Sequence, residues 1–398
     1  PPINNMICSD SPAFLDEERG YNPSLGLMYI AAYAEKHTNH DIKILDTQVL
    51  KMDYQDIENA IKRLKPDIVG IQAMTFTIID VLLVARVVKK IDINIKVVLG
   101  GPHVNIFYKE TIAMPEVDYI ILGEGEFAFT EFLNNFEDRL KLKRTSNLVL
   151  KEKENIIINK SHTFIEDLDT LPFPARHLTP YKKYNSLLAK RSPVTTMMTS
   201  RGCPYRCIYC DRPHLGKKFR ARSALNVVEE MQECVEMGIN EFLIYDDTFT
   251  IDRKRVLDIC SELKSRKLDI GWDIRARVNT VDKFLLKEMK SAGCERIHYG
   301  VEAGNQQILD NLRKGITIKQ VFDAFNSTKN AGIEILAYFM IGSPGEGKTE
   351  VMETIELSKR LKPDFVSYSI TTPFPMTDLY RLALEKGIIK NDVWLEFA

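Results

Sequence analysis

The sequence has no long apolar run, no excess of one charge and no cysteine framework. No stretch reaches the roughly 18–20 apolar residues of a spanning helix, so no transmembrane segment is expected. Fifty-four lysines and arginines offset 55 aspartates and glutamates, leaving a net charge of −1. That balance lacks the basic footprint of a nucleic-acid partner or an anionic membrane surface. The seven cysteines are an odd set: Cys8, Cys203, Cys207, Cys210, Cys234, Cys260 and Cys294. Three fall within eight residues. Such crowding argues for metal ligation in a reducing compartment, hence a cytoplasmic protein, over disulfides. Low-complexity segments and short repeats are also missing.

What is present is an ordinary globular composition, 44% hydrophobic and 27% charged over 398 residues, enough for two or three domains. Short apolar runs at 6–9, 42–46, 67–72, 96–99 and 119–122 alternate with helical patterns at 25–35, 54–64, 79–90 and 127–136. That alternation predicts βαβ units and a doubly wound, flavodoxin-like sheet over residues 1–140, which binds ligands at the carboxyl ends of its strands. A polar, proline-punctuated segment, 141–190, reads as a linker. From 191 to 376 six further strands alternate with helices: 195–199, 241–245, 271–275, 296–300, 334–341 and 365–370. Six βα units in series predict a partial (β/α)6 barrel, with its chemistry at the carboxyl ends of the strands. Thr317 and Gln320 fit a capping box, and Gly293 and Gly332 sit where helices want a left-handed residue. Residues 377–398 read as the start of a C-terminal helical region.

The densest chemistry lies just after the first barrel strand. Cys203, Cys207 and Cys210 are spaced Cys-x3-Cys-x2-Cys, with Gly202 and Pro204 shaping the turn. Four irons need four ligands. Three loop thiolates can hold three irons of a 4Fe–4S cluster and leave the fourth open to a small molecule. A zinc site would need a fourth ligand, which His214 could supply. Cys234, Cys260 and Cys294 sit on apolar helical patterns and read as core.

This motif after the first strand of a six-unit barrel resembles the radical S-adenosylmethionine (SAM) superfamily. The resemblance implies that the methionyl part of SAM chelates the open iron. It also implies that an electron from the cluster cleaves SAM to methionine and a 5′-deoxyadenosyl radical, which takes a substrate hydrogen. Tyr209 matches the position whose backbone meets the adenine. Asp246 and Asp247, Arg275 and Arg277, and Glu302 end the next three strands. A guanidinium can clamp the SAM carboxylate, and a carboxylate can accept from its amine or ribose. Asp247, Arg275, Arg277 and Glu302 are the expected SAM contacts; ordinary salt bridges at the barrel mouth are the plain alternative. The turn 341–346 resembles the family's glycine-rich turn near the adenosyl group.

Three segments of the first domain narrow the resemblance to the cobalamin-dependent, class B, radical SAM enzymes. They contain Pro23, Leu25 and Gly26; Gly100, Gly101 and His103; and Gly123 and Glu124. The resemblance implies that these residues contact cobalamin at the carboxyl ends of the strands. An Asp-x-His-x-x-Gly motif is absent, so no histidine is evident for the lower face of cobalt. His103 is the one nearby candidate, as a contact to the nucleotide tail or as a polar loop residue. A domain that keeps the fold and binds no cobalamin is another reading. Methylthiotransferases would need three more cysteines in the first domain, where only Cys8 stands.

The implied function is methyl transfer to an unactivated carbon, with cobalamin-dependent cyclisation or oxidative rearrangement as the alternative. A sensor that binds its cofactors without turnover is the reading from another class. The partners implied are a small-molecule, lipid or natural-product-like substrate and an electron donor such as flavodoxin or ferredoxin. The motifs assign neither a substrate nor a catalytic residue.

Overall fold

The computed structural model describes residues 1–5, 20–153, 155–159, 164–211 and 215–390. The chain forms two compact units. Unit 1 takes Pro1–Glu166 and Thr170–Leu188, and unit 2 takes Asp167–Asp169 and Ala189–Ile388.

Unit 1 is α/β. Helix α1 (Leu25–His37) buries Met28, Tyr29, Ala31, Ala32 and Ala34. Helix α2 (Tyr54–Leu64) starts at a capping box between Asp53 and Asp56 and buries Ile57, Ala60 and Ile61, the i, i+3, i+4 spacing of one face. Then come β1 (Ile68–Gln72), α3 (Ile78–Ile91), β2 (Lys96–Gly100), β3 (Tyr119–Ile121) and α4 (Gly125–Asn135). Strands β1, β2 and β3 are parallel neighbours. Their apolar faces meet α3 through Val81, Val84, Ala85 and Val88. Gly125 opens α4 where a Cβ would lie 2.8 Å from Ile30, so glycine lets α1 and α4 pack closely.

Two expectations for this unit change. Residues 42–46 form no strand; Ile42 and Ile44 instead pack on Ala31, Ala32 and Ala175. Apolar alternation found a hydrophobic partner there without a ladder. The strand expected at 6–9 and Cys8 lie outside the described residues. Residues 141–190 are more than a linker. Strands β4 (Leu148–Glu152) and β5 (Asn155–Ile158) add an antiparallel hairpin beside β3. Leu148, Val149 and Leu150 are buried, and their brevity amid lysines masked the signal. Further on, the Tyr184 hydroxyl donates to Asp46 at 2.7 Å and fixes the later part of this segment to unit 1.

Unit 2 is built on a six-stranded, all-parallel sheet whose strands neighbour one another in chain order. The strands are β6 (Val194–Met197), β7 (Glu241–Ile244), β8 (Gly271–Ala276), β9 (Cys294–Glu302), β10 (Glu334–Ile341) and β11 (Phe365–Ile370). Between them run α5 (Ala224–Glu236), α6 (Arg253–Ser265), α7 (Lys283–Ser291), α8 (Ile318–Asn330) and α9 (Lys348–Leu361); α10 (Asp378–Glu385) follows. This is the expected partial barrel. The starts of α5 to α8 are capped by Ser223, Asp252, Asp282 and Thr317. The Thr317–Gln320 box forms, and Gly293 and Gly332 take positive φ. At the amino ends of the strands, Arg191 bridges Glu241 and Glu295, while Lys190 pairs with Glu295 and Glu334. The opposite ends stay free for a site.

Candidate active site at the carboxyl ends of the barrel strands

The loop after β6 is pinched at its base. Ser200–Arg201 pair antiparallel with Arg220–Ala221. Gly202 has φ 83°, and a Cβ there would collide with the Lys218 carbonyl, so only glycine fits. Cys203 N donates to Gly216 O at 3.3 Å, Ile208 N to Leu312 O at 3.1 Å and Leu379 N to Ile208 O at 2.9 Å. Those bonds hold the cysteine loop against the segment before α8 and the start of α10.

The two aspartates that end β7 separate. Asp246 is fully buried and accepts from Thr199 N at 2.6 Å and from the hydroxyls of Thr199 and Ser200 at 2.5 and 2.6 Å. Arg255 donates to Thr199 O at 2.9 Å and to Arg222 O at 2.8 Å. Asp246 therefore braces the root of the loop. Asp247 faces a cavity, where burial first and the Asp246 charge second push its carboxyl above the usual range.

That cavity, about 210 Å³, brings together Cys203, Cys207 and Cys210 with Tyr209, Asp247, Arg275, Arg277 and Glu302. All the residues expected to serve the cluster and SAM thus share one wall. A larger hollow, about 340 Å³, lies outside the loop between Ile208 and α10. Its charged side chains Arg313 and Arg381 both pair with Asp378, so it offers structural ion pairs and no thiol.

None of the six described cysteines forms a disulfide. Desolvation, followed by the neighbouring thiols and Asp247, pushes up Cys210 to about 12. Cys210 is nevertheless open to solvent as a whole residue; its raised value reflects crowding by acidic groups as well as desolvation. Desolvation raises Cys203 as well, and a bound cation would offset that cost of ionisation at both. Among the described residues no Cys, His, Asp or Glu group is closed enough for a single metal ion. Thiols spread round one cavity suit a multi-iron cluster, where each meets its own iron. His214, the fourth ligand a zinc site could have used, lies outside the described residues. Cys234, Cys260 and Cys294 are buried, in keeping with core positions.

Glu302 carries a partner that sequence reasoning missed. It sits at a bulge in β9 with φ 72°, unusual for a residue other than glycine. Its Oε1 accepts from Lys314 Nζ at 2.7 Å and from the Tyr209 hydroxyl at 3.0 Å. The Lys314 and Glu302 side chains are only 7% and 9% exposed. A Cβ on Gly300 would fall 2.8 Å from Lys314 Nζ, so glycine makes room for the pair. No periodicity singles out Lys314, which lies in the loop before α8. His298 and Tyr338 were missed as well. Both line the cavity, with His298 Nδ1 3.0 Å from the Tyr338 hydroxyl and Nε2 3.4 Å from Asp273. The usable signal was the alternation of Arg296 and His298, both polar, on one face of β9, with Gly300 next in register. After β10, Glu346 accepts from Gly342 N at 2.5 Å and Ser343 N at 2.9 Å, closing the expected glycine turn.

In unit 1 the strand expected before Pro23, Leu25 and Gly26 lies outside the described residues; Ser24 and Gly26 sit beside Gln72 at the end of β1, Gly100 ends β2 with Gly101 and His103 after it, and Gly123 and Glu124 follow β3. Ser24, just before Leu25 and Gly26, donates to Gln72 at 2.5 Å. Pro23 is buried beside it. Gly101 has φ 107°, and a Cβ there would lie 2.8 Å from Ala73 O. Gly123 N donates to Asn105 at 2.6 Å, and Glu124 accepts from Ile165 N at 2.6 Å. A Cβ on Gly26, Gly100 or Gly123 would meet nothing nearer than 3.8 Å. Their open backbone suits a bulky nucleotide tail. His103 is the exception. It is 0% exposed, packs on Phe107 and places Nδ1 3.2 Å from Thr75 Oγ1. Burial lowers its pKa to about 4. His103, expected to contact cobalamin, is thus a buried, neutral histidine whose Nε2 has no hydrogen-bond partner among the described residues.

Fold and site together define a radical SAM enzyme with a cobalamin-binding domain. Residues 197–358 match the radical SAM superfamily model, and residues 14–133 match that of the B12 binding domain. The chain is 36% identical over 378 residues to an uncharacterised methyltransferase of Pyrococcus horikoshii, covering 94% of this chain and 81% of that one. It is 28% identical to an anaerobic magnesium-protoporphyrin IX monomethyl ester cyclase of Rubrivivax gelatinosus, covering 92% and 67%. Among solved structures, the radical SAM methyltransferase TsrM from Kitasatospora setae, with cobalamin and a [4Fe-4S] cluster bound, superposes with TM-score 0.75 at 16% identity, covering 90% and 72%. The cobalamin-dependent radical enzyme OxsB gives 0.79 at 18%, covering 94% of this chain and 60% of that one. At those identities the two structures speak for the fold. The chain belongs to the cobalamin-dependent radical SAM enzymes, whose cofactors are a 4Fe–4S cluster, SAM and cobalamin.

Proposed function

We propose that this chain is a cobalamin-dependent radical SAM methyltransferase acting on an unactivated carbon. The observation that carries the reading is the convergence of three loop thiols and three charged strand ends on one cavity, in a chain that also carries a B12 binding domain. The chemistry the bound groups supply is one-electron cleavage of SAM at the cluster and methyl carriage at cobalt. Cys203, Cys207 and Cys210 hold the cluster. Arg275, half-buried at the cavity wall and stacked 4.1 Å over Tyr245, faces the SAM carboxylate. Asp247 accepts from the amine. Glu302, kept in place by Lys314 and Tyr209, accepts from the ribose. Pro23, Leu25, Gly26, Gly100, Gly101, Gly123 and Glu124 border the corrin and its tail.

The proposed organisation is a cobalamin domain over residues 1–140 followed by the barrel over 191–376. A low-potential electron donor of the flavodoxin or ferredoxin kind and a reducing, cytoplasmic setting go with the cluster. No helix among the described residues is long and apolar enough to cross a membrane. The Rubrivivax cyclase relative favours a second reading, radical cyclisation. Anaerobic reconstitution with cobalamin, SAM and a reductant tests the proposal. Expected are one corrin, four irons and 5′-deoxyadenosine. A full iron count without corrin sinks methyl transfer through cobalamin. No 5′-deoxyadenosine sinks both enzyme readings.

A further inference from the structure

Arg275 and Arg277 look alike in the sequence, and the structure gives them different surroundings. Arg277 is 5% exposed. Its guanidinium donates from Nε to Asn279 at 3.3 Å, from Nη2 to the Lys314 carbonyl and from Nη1 to Cys207 Sγ at 3.6 Å. Its face lies 3.8 Å over the Tyr205 ring. Every nitrogen is engaged, and among the described residues none of these partners is a carboxylate. A guanidinium stays charged at any working pH, and a buried charge without a counter-charge is costly. The fold has nonetheless placed this cation against one of the three loop sulfurs. A neutral thiol does not repay that cost; a thiolate on an anionic cluster does.

We propose that Arg277 is a positioning residue for the iron–sulfur cluster. It donates an N–H···S hydrogen bond to the Cys207 thiolate and supplies counter-charge, and so raises the cluster's reduction potential. It does not clamp the SAM carboxylate. Hydrogen bonds to cluster sulfurs and nearby positive charge favour the reduced, more anionic state. The step affected is entry of one electron from an external low-potential reductant; no bond is made or broken. The inference rests on the reading of Cys207 as a cluster ligand.

The test is an EPR-monitored redox titration of the anaerobically reconstituted full chain without SAM. Wild type is compared with Arg277→Gln and Arg277→Lys, and SAM affinity is measured separately. The midpoint is expected to move to more negative potential in Arg277→Gln and less so in Arg277→Lys, with SAM affinity changed by under about twofold. Pulsed EPR of wild type labelled with 15N-arginine is expected to show a nitrogen coupling to the reduced cluster. An unmoved midpoint overturns the inference, whether SAM affinity falls tenfold, as a carboxylate clamp requires, or iron is merely lost, as a pillar requires. A missing nitrogen coupling in wild type overturns it with no variant involved. Wild type that takes up no four-iron cluster is a different failure: it removes the reading of the three cysteines themselves.

Discussion

The carboxyl edges of the two sheets are built from opposite materials. In unit 2 the edge is crowded with charged and nucleophilic side chains that already hold one another: Lys314 on Glu302, Arg277 on Cys207, Asp246 on the loop root. In unit 1 the edge is mostly backbone and glycine, and its one histidine is withdrawn into the core. A small charged group needs directed bonds and paired charges. A large nucleotide-bearing ring needs room and amide contacts. In the proposed reading, the same strand-end position serves two kinds of cofactor by opposite choices of residue.

Breaking that contrast outright should give the largest effect. Replacing Cys203, Cys207 or Cys210 by Ala is expected to remove most of the iron and lower 5′-deoxyadenosine formation by more than about 100-fold, since each iron loses its only protein ligand. Cobalt content should stay near wild type if the two edges are independent, so paired iron and cobalt counts decide the point.

Next is the buried pair. Lys314→Met leaves the Glu302 carboxylate without its cation and should destabilise unit 2 by about 3–5 kcal/mol, measured by denaturant unfolding. A loss under about 1 kcal/mol would mean that solvent reaches the pair and that the edge is less prearranged than argued.

A pH series then probes unit 1. Burial holds His103 at about 4, below the ordinary value near 6.5. The unfolded chain therefore binds a proton there before the folded chain does. The stability at stake is fully present above about pH 6.5 and lost as pH falls towards 4, on the order of 3 kcal/mol over that window. His103→Phe should flatten the pH dependence in this range. An unaltered slope would return His103 to an exposed, ligand-facing position.

The smallest effect belongs to a feature outside both edges. Thr317→Ala removes the α8 cap and should cost about 1 kcal/mol with no change in iron or cobalt content.

Barrel strands β10 and β11 match their expected bounds, 334–341 and 365–370, to the residue, because each is a short run rich in aromatic and branched apolar residues set between helical patterns. The three cysteines were legible because their meaning lies in spacing along the chain. The hairpin β4–β5 was not, since two short strands amid lysines carry little pattern. The apolar alternation at 42–46 misled for the converse reason: alternation records burial on one face and does not say whether a ladder partner exists.

By itself the sequence determined the order of the elements, the cysteine loop and the set of charged residues at the strand ends, all of which depend on neighbours within a few positions. Tertiary structure alone decided how those residues were used. It sent Asp246 inward and Asp247 to the cavity, buried His103, brought Lys314 to Glu302, and set Arg277 on a sulfur 70 positions away. Partners that far apart in the chain are chosen by strand register and by the burial of charge, and neither can be read from local pattern.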